Sequence, residues 1–142
     1  LNDKKIGIIG TGNMGEALIS GLIYSDSSKP QNIICSDVRE DRLEFVAEKY
    51  GVTTTGDNTD VVKASEIVIY ATKPQIIASV LKETAPGLDM SKLIISIAAG
   101  VPLAAIESCL NKKLRLIRVM PNIAAFVKES ASVIAAAGES TE

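Results

Sequence analysis

Apolar runs of strand length alternate along this chain with stretches of helical period, and that alternation predicts an α/β domain. Strands are predicted near residues 5–10, 32–36, 66–71, 93–97, 115–119 and 132–135, with a shorter one near 52–54. Helices are predicted near 13–24, 40–50, 58–64, 75–85 and 103–110. Gly51 acts as a C-terminal stop after the second, and Pro74 and Pro102 are placed to open the last two. The segments Ile67-Val68-Ile69-Tyr70-Ala71 and Leu93-Ile94-Ile95-Ser96-Ile97 are apolar throughout rather than alternating, as strands covered on both faces are. The expected architecture is a doubly wound, mostly parallel sheet of Rossmann type, with helices on both faces and right-handed crossovers. No linker, internal repeat or low-complexity segment divides residues 1–142, and Ser25 to Gln31 reads as a polar surface loop.

The first strand runs straight into glycines at positions 10, 12 and 15. Each has a physical use: Gly10 permits the tight strand-to-helix turn, Gly12 lets backbone approach a pyrophosphate, and Gly15 lets the next helix pack against the strand. The phosphates would sit on free amides at a helix N-terminus, where the dipole favours negative charge. Glycines also mark ordinary turns. Here a strand precedes, an amphipathic stretch from Glu16 to Tyr24 follows, and a second strand ends at Asp37, so a dinucleotide-binding turn is the favoured reading.

In an open parallel sheet, ligands bind at the carboxyl ends of the strands. Those ends carry Ser36-Asp37-Val38-Arg39, Ala71-Thr72-Lys73-Pro74, Ala98-Ala99-Gly100 and Met120-Pro121-Asn122. Asp37 can accept hydrogen bonds from ribose hydroxyls, which favours NAD(H), whereas Arg39 and Arg42 would attract the 2′-phosphate of NADP(H). Alternatively, Asp37 caps the helix starting near Glu40 and the arginines are solvated. Lys73 either faces a cleft or simply reaches solvent at a strand end. The small residues Ala98 to Gly100 give room for a flat ring, or for a turn.

Composition narrows the partners. A net charge of −2 over 142 residues supplies no basic field, which argues against nucleic acid and anionic membrane. Cys35 and Cys109 show neither metal nor redox spacing; they are expected to be reduced thiols, and no metal site is expected. No apolar run approaches about 18 residues and no secretory signal is evident, so a cytoplasmic protein is expected. The chain opens on Leu1 rather than Met, which points to trimming or to unseen residues. It contains no histidine, so any proton transfer must come from another group or from outside these residues.

Taken together, Ile-Ile-Gly-Thr-Gly-Asn-Met-Gly at 8–15, Ala-Thr-Lys-Pro-Gln at 71–75, Ile-Ser-Ile-Ala-Ala-Gly-Val at 95–101 and Arg-Val-Met-Pro-Asn at 118–122 resemble successive motifs of the N-terminal half of pyrroline-5-carboxylate reductase. The resemblance covers nearly the whole chain. It implies a nearly complete dinucleotide-binding domain at 1–142, with NADP(H) or NAD(H) as cofactor and 1-pyrroline-5-carboxylate as substrate. It also implies a homo-oligomer formed through a C-terminal helical domain not contained in these residues. By the same resemblance, Ile9, Gly10, Thr11, Gly12, Asn13, Met14 and Gly15 line the pyrophosphate turn, Asp37 and Arg39 flank the adenosine ribose, and Asn58 contacts cofactor. Ala71, Thr72, Lys73 and Pro74, with Ala98, Ala99 and Gly100, border the nicotinamide end, and Met120 and Asn122 lie near the reaction centre. The family commonly has a small polar residue where this chain has Asp37, and its substrate loop and hydroxyl proton donor lie beyond residue 142. No catalytic residue is therefore expected within the chain. Other readings are an imine or β-hydroxyacid dehydrogenase sharing the nucleotide fold, or a non-catalytic nucleotide-binding module.

Overall fold

The computed structural model describes residues 2–120 and the backbone of 133–136. Seven strands and five α-helices alternate in it: β1 (Ile6–Ile9), α1 (Asn13–Tyr24), β2 (Ile33–Ser36), α2 (Glu40–Tyr50), β3 (Thr53–Thr55), α3 (Asn58–Ala64), β4 (Ile67–Tyr70), α4 (Ile77–Thr84), β5 (Leu93–Ser96), α5 (Leu103–Leu110), β6 (Arg115–Met120) and β7 (Val133–Ala136). They form one sheet in the order β3-β2-β1-β4-β5-β6-β7. From β1 the chain winds outward through β2 to β3, then returns to lay β4 on the other side of β1, so that Ile6 is in register with both Ile33 and Ile67. This reversal of winding makes the crevice above β1 the place where a doubly wound fold takes its ligand.

The strands β1 to β6 are parallel, as the alternation of strand and helix predicts, whereas β7 pairs antiparallel with β6, Met120 opposite Val133. Only twelve residues, 121–132, separate these two strands. That is the lower limit for carrying a chain back along a sheet to re-enter parallel, and an antiparallel return requires no such passage.

Period-2 alternation sends successive strand residues to opposite faces. Ile6 and Ile8 of β1, Ile33 and Cys35 of β2 and Ile69 of β4 pack with Ile19 of α1 and with Val46 and Tyr50 of α2. Ile9, Val68, Tyr70, Ile94 and Leu116 project the other way, against Val61 and Val62 of α3, Ile77, Val80 and Leu81 of α4, and Ile106 and Leu110 of α5. Both faces of the central strands are thereby buried, which is why their sequences lack polar alternation. Tyr70, fully buried, satisfies its hydroxyl on Thr84 Oγ1 at 2.6 Å, and burial pushes its phenol up to about 12. Cys35 lies in the same dry interior, and burial raises its thiol to about 12, so it is an inert core side chain.

Helix ends follow local chemistry. α2 stops at Gly51, whose φ of 72° is left-handed, and Asp57 caps α3 by accepting from Thr59 N at 2.8 Å. α4 departs from expectation by beginning at Ile77 rather than at Gln75. A hydrogen bond from Ile76 N to Lys73 O, 3.1 Å, closes a turn around Pro74 first, and the helix follows it. Pro102, by contrast, immediately precedes the first residue of α5.

At Gly10 and Gly15 of the glycine turn, backbone packs against backbone with no room for a side chain. Gly10 has a φ of 100°, and a Cβ there would stand 2.7 Å from the Ala71 carbonyl oxygen; at Gly15 a Cβ would stand 2.0 Å from the Gly10 carbonyl oxygen. Neither obstacle is a side chain that can swing aside. Gly15→Ala should therefore destabilise the fold by at least about 3 kcal/mol, the upper end of ordinary overpacking costs, read as a lowered urea midpoint.

Candidate dinucleotide-binding site

A cleft of about 510 Å3 opens above β1, walled by the ends of β1, β2 and β4 and by the starts of α1 and α2. Ile9, Gly10, Gly12 and Asn13 form its floor, Ser36 to Arg39 with Asp41 and Arg42 one wall, and Ala71 to Lys73 with Ile76 and Val80 the other. Asn58 completes the lining.

The floor suits a diphosphate. α1 opens at Asn13, and the first amide bonded back along it is that of Glu16, to Gly12 O at 2.9 Å; the amides before it have no carbonyl one turn earlier to bond. Gly12 has an ordinary φ of −65°, and a Cβ there would meet nothing within 4 Å. The three glycines thus differ physically. Gly10 and Gly15 are glycine because protein atoms crowd them, whereas Gly12 faces space that its missing side chain leaves empty. On the β4 side, Thr72 Oγ1 is buried with no hydrogen-bond partner among the described residues, a polar atom awaiting one.

Asp37 anchors the turn. Its Oδ2 accepts from Thr11 N and Thr11 Oγ1, both at 2.8 Å, and its Oδ1 accepts from Arg39 N at 3.0 Å. It therefore stabilises the approach to α2, but the residue flanking that helix is Arg39, which makes no side-chain cap. Arg39 is not simply solvated, because its guanidinium pairs with Asp41 at 2.5 Å on the surface. Arg42 is committed more firmly: it donates to Thr11 O at 2.6 and 3.0 Å and to Glu16 Oε2 at 2.8 Å. Glu16 also accepts from Lys49 Nζ at 3.1 Å and Tyr50 OH at 3.0 Å. Burial pushes the Glu16 carboxyl up, but the Arg42, Lys49 and Tyr50 donors outweigh it and hold the group below its ordinary 4.5. Glu16 was not singled out from the sequence, since its partners lie 26 to 34 residues away and leave no local signal.

Of the other expected contacts, Asn58 reaches the cleft with its amide occupied, accepting from Ser36 Oγ at 2.7 Å and donating to Glu83 Oε2 at 3.1 Å. Lys73 is exposed at the rim. Thr11, Met14, Gly15 and Pro74 adjoin lining residues without lining the cleft themselves. Ala98, Ala99 and Gly100 follow β5, one strand further along the same edge, and do not line it either. Met120 is half exposed at the end of β6, and Asn122 lies outside the described residues. Val38, Ile76 and Val80 add apolar lining that the sequence reading did not assign. Val38 is 93% exposed in the structure, and nothing in its local sequence marks it as part of the lining. No group of acidic, histidine or cysteine side chains that could hold a metal occurs among the described residues, and none of their helices is long and apolar enough to cross a membrane.

A family profile described as NADP oxidoreductase, coenzyme F420-dependent, matches residues 5–100. The chain belongs to this family. Among its relatives, the pyrroline-5-carboxylate reductase of Methanosarcina acetivorans is 47% identical over 135 residues, 95% of this chain and 50% of the relative. The pyrroline-5-carboxylate reductase of Escherichia coli is 36% identical over 125 residues, 88% of this chain and 46% of the relative. Among solved structures, a pyrroline-5-carboxylate reductase from Coxiella burnetii superposes with a TM-score of 0.92 at 35% identity, covering 97% of this chain and 51% of that one. A Plasmodium falciparum pyrroline carboxylate reductase with NADP bound gives 0.86 at 26% identity, over 97% of this chain and 50% of that one. The chain thus spans about half the length of the relatives it matches, and the sequence resemblance and the Rossmann-type fold both hold.

The state of Glu16 makes the site acid-sensitive. A carboxyl held below 4.5 in the fold contributes stability that is fully present above 4.5 and is lost as pH falls through its lowered value. Glu16→Gln should lower stability at pH 7 by on the order of 1 kcal/mol, and the gap from the parent should close as pH falls below 4.5, followed by thermal unfolding.

Proposed function

We propose that this chain is the cofactor-binding half of a reductase that converts 1-pyrroline-5-carboxylate to L-proline with NAD(P)H, the last step of proline biosynthesis. The observation that carries the reading is the glycine turn, open only at Gly12 and set at the point where the sheet reverses its winding. The 47% identity to a pyrroline-5-carboxylate reductase over 95% of the chain supports the substrate.

When bound, the reduced nicotinamide supplies hydride, and a protonated imine accepts it readily, so the protein's task is orientation, charge stabilisation and exclusion of water. Amides at Gly12 to Met14 hold the diphosphate, and Asp37 and Arg39 flank the adenosine ribose. Val38 and Ile76, on opposite walls, give the adenine apolar faces. Ala71 to Pro74 border the nicotinamide end, where Thr72 Oγ1 is available as an unsatisfied partner. Ala98 to Gly100 extend that border towards the substrate, and Asn122 is assigned to the cofactor site by resemblance alone. The substrate loop, the proton donor and the homo-oligomer contacts are assigned to the other half of the reductase, and the protein works in the cytoplasm without nucleic acid, membrane or metal.

Gly12→Val tests the turn cleanly, because nothing in the fold opposes the new side chain. The variant should unfold within a few degrees of the parent yet bind dinucleotide about 100-fold more weakly or not at all, measured by the fluorescence of added reduced nicotinamide. Unchanged binding would overturn the assignment. For the substrate, full-length protein should oxidise NAD(P)H with 1-pyrroline-5-carboxylate and leave β-hydroxyacids unreacted.

A further inference from the structure

Resting on the reading of the cleft as a nicotinamide dinucleotide site, we propose that Asp37 makes it selective for NADH over NADPH. The two cofactors differ only at the adenosine 2′ position, a hydroxyl in one and a phosphate in the other. Selectivity therefore depends on which charges stand at the end of β2, and whether they can move.

Asp37 cannot readily leave. Its three hydrogen bonds tie it to Thr11, inside the glycine turn, and to Arg39 N, so rotation away would strip the Thr11 amide of its partner. None of the three donors is a cationic side chain, so no guanidinium neutralises the carboxylate directly. Half-buried at the ribose end, it can accept a further hydrogen bond from a 2′-hydroxyl, whereas a 2′-phosphate would bring negative charge against negative charge.

The cations that could reverse this are already engaged. Arg42 is spent on the Thr11 carbonyl and on Glu16, with its side chain only 21% exposed. Turning it to a phosphate would unlatch the glycine turn and deprive Glu16 of a donor. Arg39, the more mobile of the two, is paired with Asp41. Lys73 follows β4, across β1 from the end of β2. An incoming phosphate thus meets one fixed carboxylate and two guanidiniums whose charge is already shared with carboxylates of this chain, Arg42 with Glu16 and Arg39 with Asp41.

The test is equilibrium titration of the chain with NADH and with NADPH, followed by nicotinamide fluorescence, for the parent and for Asp37→Asn. The asparagine keeps the shape and an acceptor for Thr11 while removing the charge. The parent should bind NADH at least about tenfold more tightly than NADPH, and Asp37→Asn should reduce that ratio by about tenfold. Asp37→Ser, which also makes room, should move the ratio the same way. A parent that binds NADPH as tightly as NADH, or a ratio unmoved in a folded Asp37→Asn, would overturn the selectivity and leave the dinucleotide site standing. Binding of neither cofactor would overturn both.

Discussion

The site depends on how near one helix can come to one carbonyl. Because Gly15 has no side chain, the first turn of α1 rests on the backbone of Gly10, at a separation that any Cβ would reduce to 2.0 Å. That contact points the N-terminus of α1 across the end of β1, and the open side of Gly12 then faces the cleft rather than protein. Without it α1 would have to stand off from the sheet, and the cradle for a diphosphate would lose its shape. Gly10, forced into a left-handed φ between Ser36 O and the Ala71 carbonyl, supplies the other half of the constraint.

Polar contacts then lock in place what the glycines permit. Asp37 holds the amide of Thr11 and Arg42 its carbonyl, so the two peptide units that meet at this residue are gripped from the end of β2 and from α2 together. Glu16 gathers Arg42, Lys49 and Tyr50 and so joins α1 to both ends of α2. Exposed ion pairs such as Lys4 with Glu66 contribute little, since water competes for both partners. The Glu16 cluster is better shielded, and its value lies as much in fixing the angle between two helices as in stability.

Much of this was legible in the sequence, for identifiable reasons. Strong periodicity and punctuation by Gly51 and Pro102 place the strands and helices, and the spacing of three glycines after an apolar run locates the turn. What escaped depends on contacts between distant residues. Nothing near Glu16 announces Tyr50, and nothing near Asp37 says whether its carboxylate will face Thr11, the helix behind it or solvent. The start of α4 was missed because Pro74 serves a turn as readily as a helix, and the direction of β7 within a mostly parallel sheet stays open in the sequence because short apolar segments look alike in either orientation. Ala98 to Gly100 were expected at the nicotinamide end on resemblance, and the cleft stops one strand short of them.

The sheet order carries a kinetic consequence. β1, made before the other strands of this sheet, has its two partners at residues 33–36 and 67–70, and the second cannot dock until the α2, β3 and α3 segments have been made and folded back. Loop closure of that length must be met before the pairing contributes, which places this domain among slower folders than helical bundles of its size. A nascent chain cut off before residue 70 would hold β1 with one edge bare, a natural substrate for chaperones that shield unpaired strands.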